Sequence, residues 1–453
     1  MSYSSSVTVH QVEPIYYSAN SRVEFRLEPN KMYSSDLILA NMGCFKTGTQ
    51  STQHQVAGVY GICKSISILD GNVELTSLQN SHLWAGFKQY QHSNQYNESI
   101  GPYYCGNLIS NGFETRDLTE KTTGAAATLA VTGARIVRGT IRTMNTFATS
   151  DLSFKGQMKM AEIIDLLANM PYIDTSFFKN FRVVIEFHSA SDLLLFAQGQ
   201  QKTVTGGIET IRPFLIAEEL TGPQVDAMMG KMSPIEYTVI EQDLASLDAI
   251  VPTAGASAQD STRTPTQPKT YHVSGFNNKT VEKMLIWKQP TLKGNIQIDS
   301  ELNGRDIGWG AYGSMSFLGE KIQIRVNGRN IYARSGLDKP NQRLAAMVDS
   351  WGNSSLAPFA NGMTFQAPDA SPRSETWKID GNQDCGVQDF IGTDIGLEKV
   401  QDLQIDFERK GFFADSDAET AKSKYNSAYN LRIFAEVRKA IIPQASGYNV
   451  IYV

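Results

Sequence analysis

The chain has 453 residues, 41% of them hydrophobic and 19% charged, a composition that excludes disordered and fibrous classes. Its 46 acidic and 41 basic side chains leave a formal net charge of −5. With no lysine–arginine run standing out, a surface built to neutralise nucleic-acid phosphates is not expected. The length suits two or three domains, and either half is long enough to bury its own core.

The first 19 residues are polar and serine-rich up to Ser6, then carry Val7, Val9, Val12, Ile15, Tyr16 and Tyr17. No apolar stretch suits a secretory leader, and no window approaches the length of a membrane span. The segment reads as an N-terminal arm, residues 1–19, that orders against a neighbouring chain or a minor partner, with the two tyrosines as buried anchors. Short strands come next. Arg22 to Leu27 alternates and stops at Pro29, and Ser65 to Leu75 alternates around Asp70-Gly71. A helix is expected over Leu75 to Tyr90, with Leu78, Leu83, Trp84 and Phe87 at near-helical spacing. Thr119 to Thr132 is a Thr/Gly/Ala loop. Phe181 to Phe187 is rich in β-branched and aromatic residues, and Gly222 to Met232 is a short helix candidate.

Residues 246–268, rich in Ala, Ser, Thr, Pro and Gln, read as a linker between a first unit over 20–245 and a second over 269–453. In the second unit, Lys321 to Tyr332 alternates around Asn327-Gly328. Asp338 to Trp351 reads as a helix with Asp338 as its cap and Pro340 in its first turn. Leu403 to Phe407 and Leu431 to Val437 alternate as strands, and the short basic stretch Arg432 to Lys439 lies in an apolar alternation and reads as a strand. Many short strands divided by turns argue an all-β sandwich class.

The halves echo each other. Ile66-Ser-Ile68, the Asp70-Gly71 turn, Val73-Glu-Leu75 and a helix bearing Trp84 have counterparts in Ile322-Gln-Ile324, Asn327-Gly328, Ile331-Tyr332 and a helix bearing Trp351. Asp-Gly and Asn-Gly favour tight hairpins that need positive φ, so Gly71 and Gly328 are expected there. Order and position agree in both halves, which points to duplication.

No chemistry-bearing pattern stands above its background. Gly308-Trp-Gly310-Ala-Tyr-Gly313 matches a dinucleotide fingerprint, but the next element reads as a strand, with Arg329 and Arg334 where an acid belongs. Asp415-Ser-Asp417-Ala-Glu419 starts like a calcium loop but lacks its glycine, and Asn426 stands at the twelfth position. The cysteines at 44, 63, 105 and 385 have no zinc spacing. His10, His54, His82, His92, His188 and His272 form no metalloprotease motif. His188, at a strand end, reads as a structural residue. The sequons at Asn97, Asn278 and Asn353 read as chance matches. The catalytic, cofactor-binding and metal sets are therefore each expected to be empty.

Four segments carry a family resemblance. They are Ile62 to Tyr90 (ICKSISILDGNVELTSLQNSHLWAGFKQY), Pro213 to Gln242 (PFLIAEELTGPQVDAMMGKMSPIEYTVIEQ), Gly275 to Gln289 (GFNNKTVEKMLIWKQ) and Asn430 to Val453 (NLRIFAEVRKAIIPQASGYNVIYV). In this order they resemble the double jelly-roll major capsid proteins of nucleocytoplasmic large DNA viruses, virophages and polinton-like viruses. The second segment resembles the strand, helix and strand that close that family's first jelly-roll. Asp70-Gly71-Asn72 stands where a glycine pair is usual. The resemblance implies two tandem eight-stranded jelly-roll sandwiches, no enzymatic activity and no cofactor. It implies homotrimeric, pseudo-hexameric capsomers tiling the icosahedral shell of a double-stranded DNA virus, located in the virion. The partners it implies are neighbouring capsomers, minor capsid and penton proteins and an inner membrane, without sequence-specific nucleic-acid binding. A jelly-roll spike or glycan-binding virion protein is the alternative, with Trp309 and Tyr312 as stacking aromatics. A cupin-like or glycoside hydrolase sandwich would need a metal cluster or facing carboxylates, and the sequence displays neither.

Overall fold

The computed structural model describes residues 6–18, 21–43, 45–47, 50–54, 58–90, 92, 96, 100–105, 141–144, 156–188, 194–197, 200–203, 212–248, 264–265, 268–290, 321–333, 336–338, 340–351, 363–365, 386–388, 390–408, 410–411, 429–445 and 447–453. The first unit opens with β1 (Ser6–Val12), β2 (Tyr16–Ser18), β3 (Arg22–Arg26), β4 (Met32–Ser34) and β5 (Ile38–Met42). Then come β6 (Cys63–Asp70), β7 (Val73–Gln79) and helix α1 (Ser81–Tyr90). It closes with β8 (Gly156–Lys159), α2 (Asp165–Asn169), β9 (Tyr172–Asp174), β10 (Phe181–Phe187) and β11 (Phe214–Thr221).

After α3 (Pro223–Met228) the second unit runs through β12 (Ile235–Leu247), β13 (Lys269–His272), β14 (Thr280–Pro290), β15 (Lys321–Val326) and β16 (Arg329–Asn330). It ends with α4 (Pro340–Trp351), β17 (Phe390–Lys399), β18 (Leu403–Glu408), β19 (Tyr429–Gln444) and β20 (Gly447–Tyr452).

Sheet order makes each unit a jelly-roll. In the first, β1 lies beside β11, which pairs with β5 and with β4; β8 flanks β5 and β9 flanks β4. The facing sheet runs β3, β10, β6, β7, with β2 outside β3. In the second unit one sheet runs β12, β19, β14, β17 and the other β13, β18, β15, β16. Counting β4 with β5 and β8 with β9 as interrupted strands, both units share one plan. The first, eighth, third and sixth strands make one sheet, and the second, seventh, fourth and fifth make the other. That is the double Greek key of a jelly-roll, laid down twice.

Alternation explains the packing. In β18, Leu403, Ile405 and Phe407 are buried while the residues between them are half-buried. Ile322, Ile324 and Val326 of β15 are buried likewise, with Arg325 half-buried and Gln323 also buried between them. Central β10 is paired on both sides and buries Phe181, Val183, Ile185 and Phe187. Period-two patterning against a single core is the sandwich signature.

The expected hairpins occupy equivalent places, joining the fourth and fifth strands of each unit. Their turns differ by one register step. Val326 pairs with Arg329, so Asn327 (φ 50°) and Gly328 (φ 79°) are the two central residues, both left-handed. In the first unit Asp70 pairs with Val73, so the central residues are Gly71 and Asn72. There only Gly71, at φ 60°, is left-handed. Asp70 is thus the last strand residue, and its carboxylate accepts from Asn180 N at 2.7 Å.

Three expectations are corrected. The division between units does not fall at 246–268: β12 pairs residue by residue with β19, from Ile235↔Ile441 to Leu247↔Tyr429. The chain changes sandwich between β11 and β12, around α3. The closing strand of the 213–242 segment therefore opens the second jelly-roll rather than ending the first. Second, residues 6–18 are no free arm. Ser6–Val12 pairs antiparallel with β11, and Tyr16–Ser18 pairs with β3. Of the two tyrosines only Tyr17 packs on the core; Tyr16 is 52% exposed. Third, the helix expected from Leu75 starts at Ser81, because Val73–Gln79 completes the hairpin with β6. The loop at Thr119 to Thr132 lies outside the described residues.

Candidate assembly surfaces

The two jelly-rolls meet along one seam, whose centre is aromatic. Trp84 of α1 and Trp351 of α4 touch edge to face, with centroids 5.6 Å apart. Phe87 meets the same Trp351 ring at 5.2 Å, and Phe434 of β19 lies 5.9 Å from Trp84. The Trp351 indole N–H donates to the Met284 carbonyl at 3.2 Å, so the ring is fixed by a hydrogen bond as well as by packing. Gly392 of β17 admits this ring: a Cβ there would collide with Trp351 and stand 2.6 Å from Ser350 Oγ.

Polar contacts fasten the rim of the seam. The Thr238 N–H and hydroxyl both donate to Asp165 Oδ2 at 2.7 Å. Asn80 Nδ2 donates to Gln242 Oε1 at 2.9 Å, and the Tyr237 hydroxyl donates to the Leu75 carbonyl at 2.6 Å. At the end of the seam, the Tyr448 ring packs between Phe177 and Phe178. Its hydroxyl reaches Asp70 Oδ2 at 2.7 Å, tying the last hairpin of the chain to the β6–β7 hairpin.

Charges are caught in the seam. The Lys88 ammonium lies 5.0 Å above the Trp84 ring. Burial pushes the Lys88 ammonium down from its ordinary value, against the pull of Glu436 and Asp165. Burial pushes the Glu436 carboxyl up, against Lys88 and Lys283. Each shift favours the neutral form, as expected for charges drawn out of water.

The residues with chemical potential are scattered. His82 Nδ1 and His188 Nε2 lie 2.9 Å apart, both buried, so His188 is held by a partner 106 residues away that sequence spacing does not reveal. His10 pairs with Glu219 at 2.6 Å, His272 faces Asp402 at 3.6 Å, and His92 faces Glu162 at 3.9 Å. Among the described residues, no group of three or more His, Cys, Asp or Glu could hold a metal ion. Cys63 and Cys105 are buried thiols that form no disulfide, and burial raises the pKa of Cys63 well above its usual range. Gly308 to Gly313, Trp309, Tyr312, Asp415 to Glu419, Cys44, Cys385, Asn97 and Asn353 lie outside the described residues. No helix among the described residues is long and apolar enough to cross a membrane.

No protein-family profile matches the chain, and no curated protein matches it. Solved structures do. The Faustovirus major capsid protein matches with a TM-score of 0.54 at 10% identity, over 98% of this chain and 91% of that one. The VP54 protein of PBCV-1, fitted into the virophage Sputnik, matches with a TM-score of 0.53 at 9% identity, over 100% of this chain and 98% of that one. The mavirus major capsid protein matches with a TM-score of 0.50 at 11% identity, over 98% and 90%. The similarity spans both jelly-rolls and the seam between them, so by fold this chain is a double jelly-roll of the kind seen in these viral major capsid proteins.

Proposed function

We propose that this chain is the major capsid protein of an icosahedral double-stranded DNA virus, acting in the virion as a homotrimeric, pseudo-hexameric capsomer. The observation that carries the reading is the duplication. Two jelly-rolls of identical strand order stand side by side on a desolvated aromatic seam, so one chain presents two similar lobes and three chains present six. Six near-equivalent lobes tile a hexagonal lattice. A fold alone does not set a function, but this pairing has a use in shell building that a single binding module lacks.

Its work is assembly rather than catalysis. Among the described residues, the side chains that a hydrolase or cupin would gather are instead dispersed in ion pairs and in one buried imidazole pair. Neighbouring capsomers are the first partners; minor capsid proteins, penton proteins and an underlying membrane are further ones. With a net charge of −5, the chain is not expected to coat the genome directly.

Expression of the full chain, followed by electron microscopy and analytical ultracentrifugation, tests this. Trimers with a six-lobed outline, condensing into sheets or shells, are expected. A stable monomer that binds glycans on an array would instead support the spike reading.

A further inference from the structure

Among the described residues, the sheet edges of the second jelly-roll are guarded, with one exception. β12 carries Glu236, Glu241 and Asp243, and β13 carries Lys269. β16 is only two residues long and includes Arg329. β17 is interrupted at Gly396 and Leu397, both at positive φ, with Asp394 and Glu398 beside them. Charge, brevity and bulges are the devices that keep a sheet edge from pairing with another chain. β20 has none of them. Gly447–Tyr452 reads GYNVIY, without a charged side chain or a proline, and among the described strands it pairs with β19 alone. The Val453 N–H donates to the Arg438 carbonyl at 3.2 Å. Hydrogen-bonding direction alternates along an antiparallel strand. Asn449 and Ile451 therefore also face β19, while Tyr448, Val450 and Tyr452 turn their backbone groups to the open side. The strand is fixed from within, because the Tyr448 hydroxyl reaches Asp70 and the Tyr452 hydroxyl donates to Glu241 Oε1 at 2.6 Å. Ile451 and Tyr452 are nevertheless 41% and 44% exposed.

We infer that β20 pairs antiparallel with β20 of another copy of this chain, about a two-fold axis through Val450, and that this strand pair joins one capsomer to the next. The strand itself selects the occupant. Tyr448-Asn449-Val450-Ile451-Tyr452 has a tyrosine at either end and valine at its centre. With Val450 opposite Val450, Tyr448 falls opposite Tyr452, and the residues that meet are the ones whose backbone groups face the open side. A shift by one residue would set those groups against ones already bonded to β19. The centred register exchanges about six hydrogen bonds and lays each exposed Tyr452 beside a Tyr448, a favourable cross-strand pair. No like charges meet. A two-fold pair uses both edges and leaves none for a third chain, so it closes instead of growing into a fibre. Its size sets its place. So short a strand pair buries far less than the roughly 1,200–2,000 Å² of a stable interface. It is too weak to hold a chain within a trimer and suits a contact repeated many times over a shell. The inference rests on the shell reading for its role and adds a named surface to it.

Full-length variants test it. Across the expected axis Asn449 of one copy lies opposite Ile451 of the other, in a pair without mutual hydrogen bonds. The Cα atoms of such a pair stand about 4.5 Å apart, within disulfide reach. Asn449→Cys protein mixed with Ile451→Cys protein and mildly oxidised should give disulfide-linked heterodimers of the two variants, and either variant alone should give several-fold fewer linked chains. Val450→Pro removes an N–H that β19 does not use, a place where an edge strand tolerates proline. That protein should keep its circular dichroism and its trimers, while the concentration at which trimers condense into sheets or shells rises by about tenfold or more. Links no more frequent in the mixture than in either variant alone overturn the inference and leave the shell reading standing. So does a Val450→Pro protein that condenses like the wild type; the edge then falls to a strand of a different protein. A wild type that forms neither trimers nor sheets overturns the shell reading, and the inference with it.

Discussion

Trp84 and Trp351, which occupy matching places in the two halves of the sequence, pack against each other edge to face at 5.6 Å. Each ring sits on the helix of a hairpin-plus-helix unit, so the repeat brings its own copies together at the seam. Both rings also contact Phe87, and Trp84 contacts Phe434. Truncating either tryptophan to alanine should cost about 3–5 kcal/mol. The pair should show a coupling of about 0.5–1.5 kcal/mol in a double-mutant cycle, the range for aromatic pairs beyond area burial. Calorimetry gives a sharper check. The wild type should melt in one transition and Trp84→Ala/Trp351→Ala in two, as the jelly-rolls uncouple. A single transition in the double variant would mean that the rim contacts alone carry the seam.

Glycines at Gly71, Gly328 and Gly392 should respond differently. Gly71 and Gly328 have left-handed φ, and a Cβ at either meets nothing within 4 Å. Alanine there should cost only the backbone preference, about 1–2 kcal/mol, and valine up to about 3. Asn at Gly328 should cost least, because it tolerates that region. Gly392 has no positive φ, yet its Cβ would enter the space of Trp351, Ser350 and Met347. Gly392→Ala should cost about 1–3 kcal/mol by overpacking. Trp351→Phe, a smaller ring, should recover part of that loss, whereas it should do nothing for Gly71→Ala. Chemical denaturation of these variants, singly and combined, measures this.

Much of the fold was legible because its signals are local. The period-two runs at 181–187, 321–326 and 403–407 are strands, and both turns contain the residues that left-handed φ requires. The places where the reading slipped all depend on partners distant in the chain. Ile235, Tyr237 and Val239 alternate as a strand in either unit, and only pairing with Ile441, Lys439 and Val437 assigns them to the second. Val7 and Val9 read as part of an arm that orders against a neighbour, whereas β11 of the same chain supplies the hydrogen bonds that make them a strand. The His82–His188 contact and the mutual electrostatic influence of Lys88 and Glu436 have no sequence signature for the same reason. The Trp84–Trp351 contact was half visible: the repeat marked both residues, and nothing in it required that they touch.

Removal of the first strand should damage the first jelly-roll. Ser6–Val12 covers one edge of β11 through seven residue pairs, and His10 and Lys31 both hold Glu219 there, at 2.6 and 2.9 Å. Deleting residues 1–12 should lower the melting temperature and expose a long unpaired edge, the usual template for aggregation. Light scattering during a thermal ramp should show earlier aggregation than in Val7→Lys/Val9→Lys, which keeps the strand. Equal melting temperatures for the deletion and the wild type would show that β1 contributes little to its sheet.

The seam charges predict a pH dependence whose sign can be worked out. Burial raises the Glu436 carboxyl above its ordinary 4.5, with Lys88 and Lys283 opposing the rise and Glu282 and Asp165 adding to it. A carboxyl whose folded pKa is raised binds its proton more tightly in the folded state. Its favourable contribution is complete below the unfolded value and is lost as pH rises through the folded one. Glu436→Gln, which mimics the protonated form, should therefore raise the melting temperature near neutral pH, with the gain shrinking towards zero as pH falls to about 4. Lys88 complicates the single variant, because burial already disfavours its ammonium. Glu436→Gln/Lys88→Met removes both charges together. It should be at least as stable as the wild type at neutral pH, since burial disfavours both charges and charges drawn out of water seldom outperform apolar packing. Lys88→Met alone should push the Glu436 carboxyl further up and steepen the loss of stability with rising pH. Melting curves of the four proteins from acid to neutral pH test the assignment. A Glu436→Gln protein that is less stable than the wild type at neutral pH, with a deficit that closes on acidification, would mean that the carboxylate is held as a favourable ion pair.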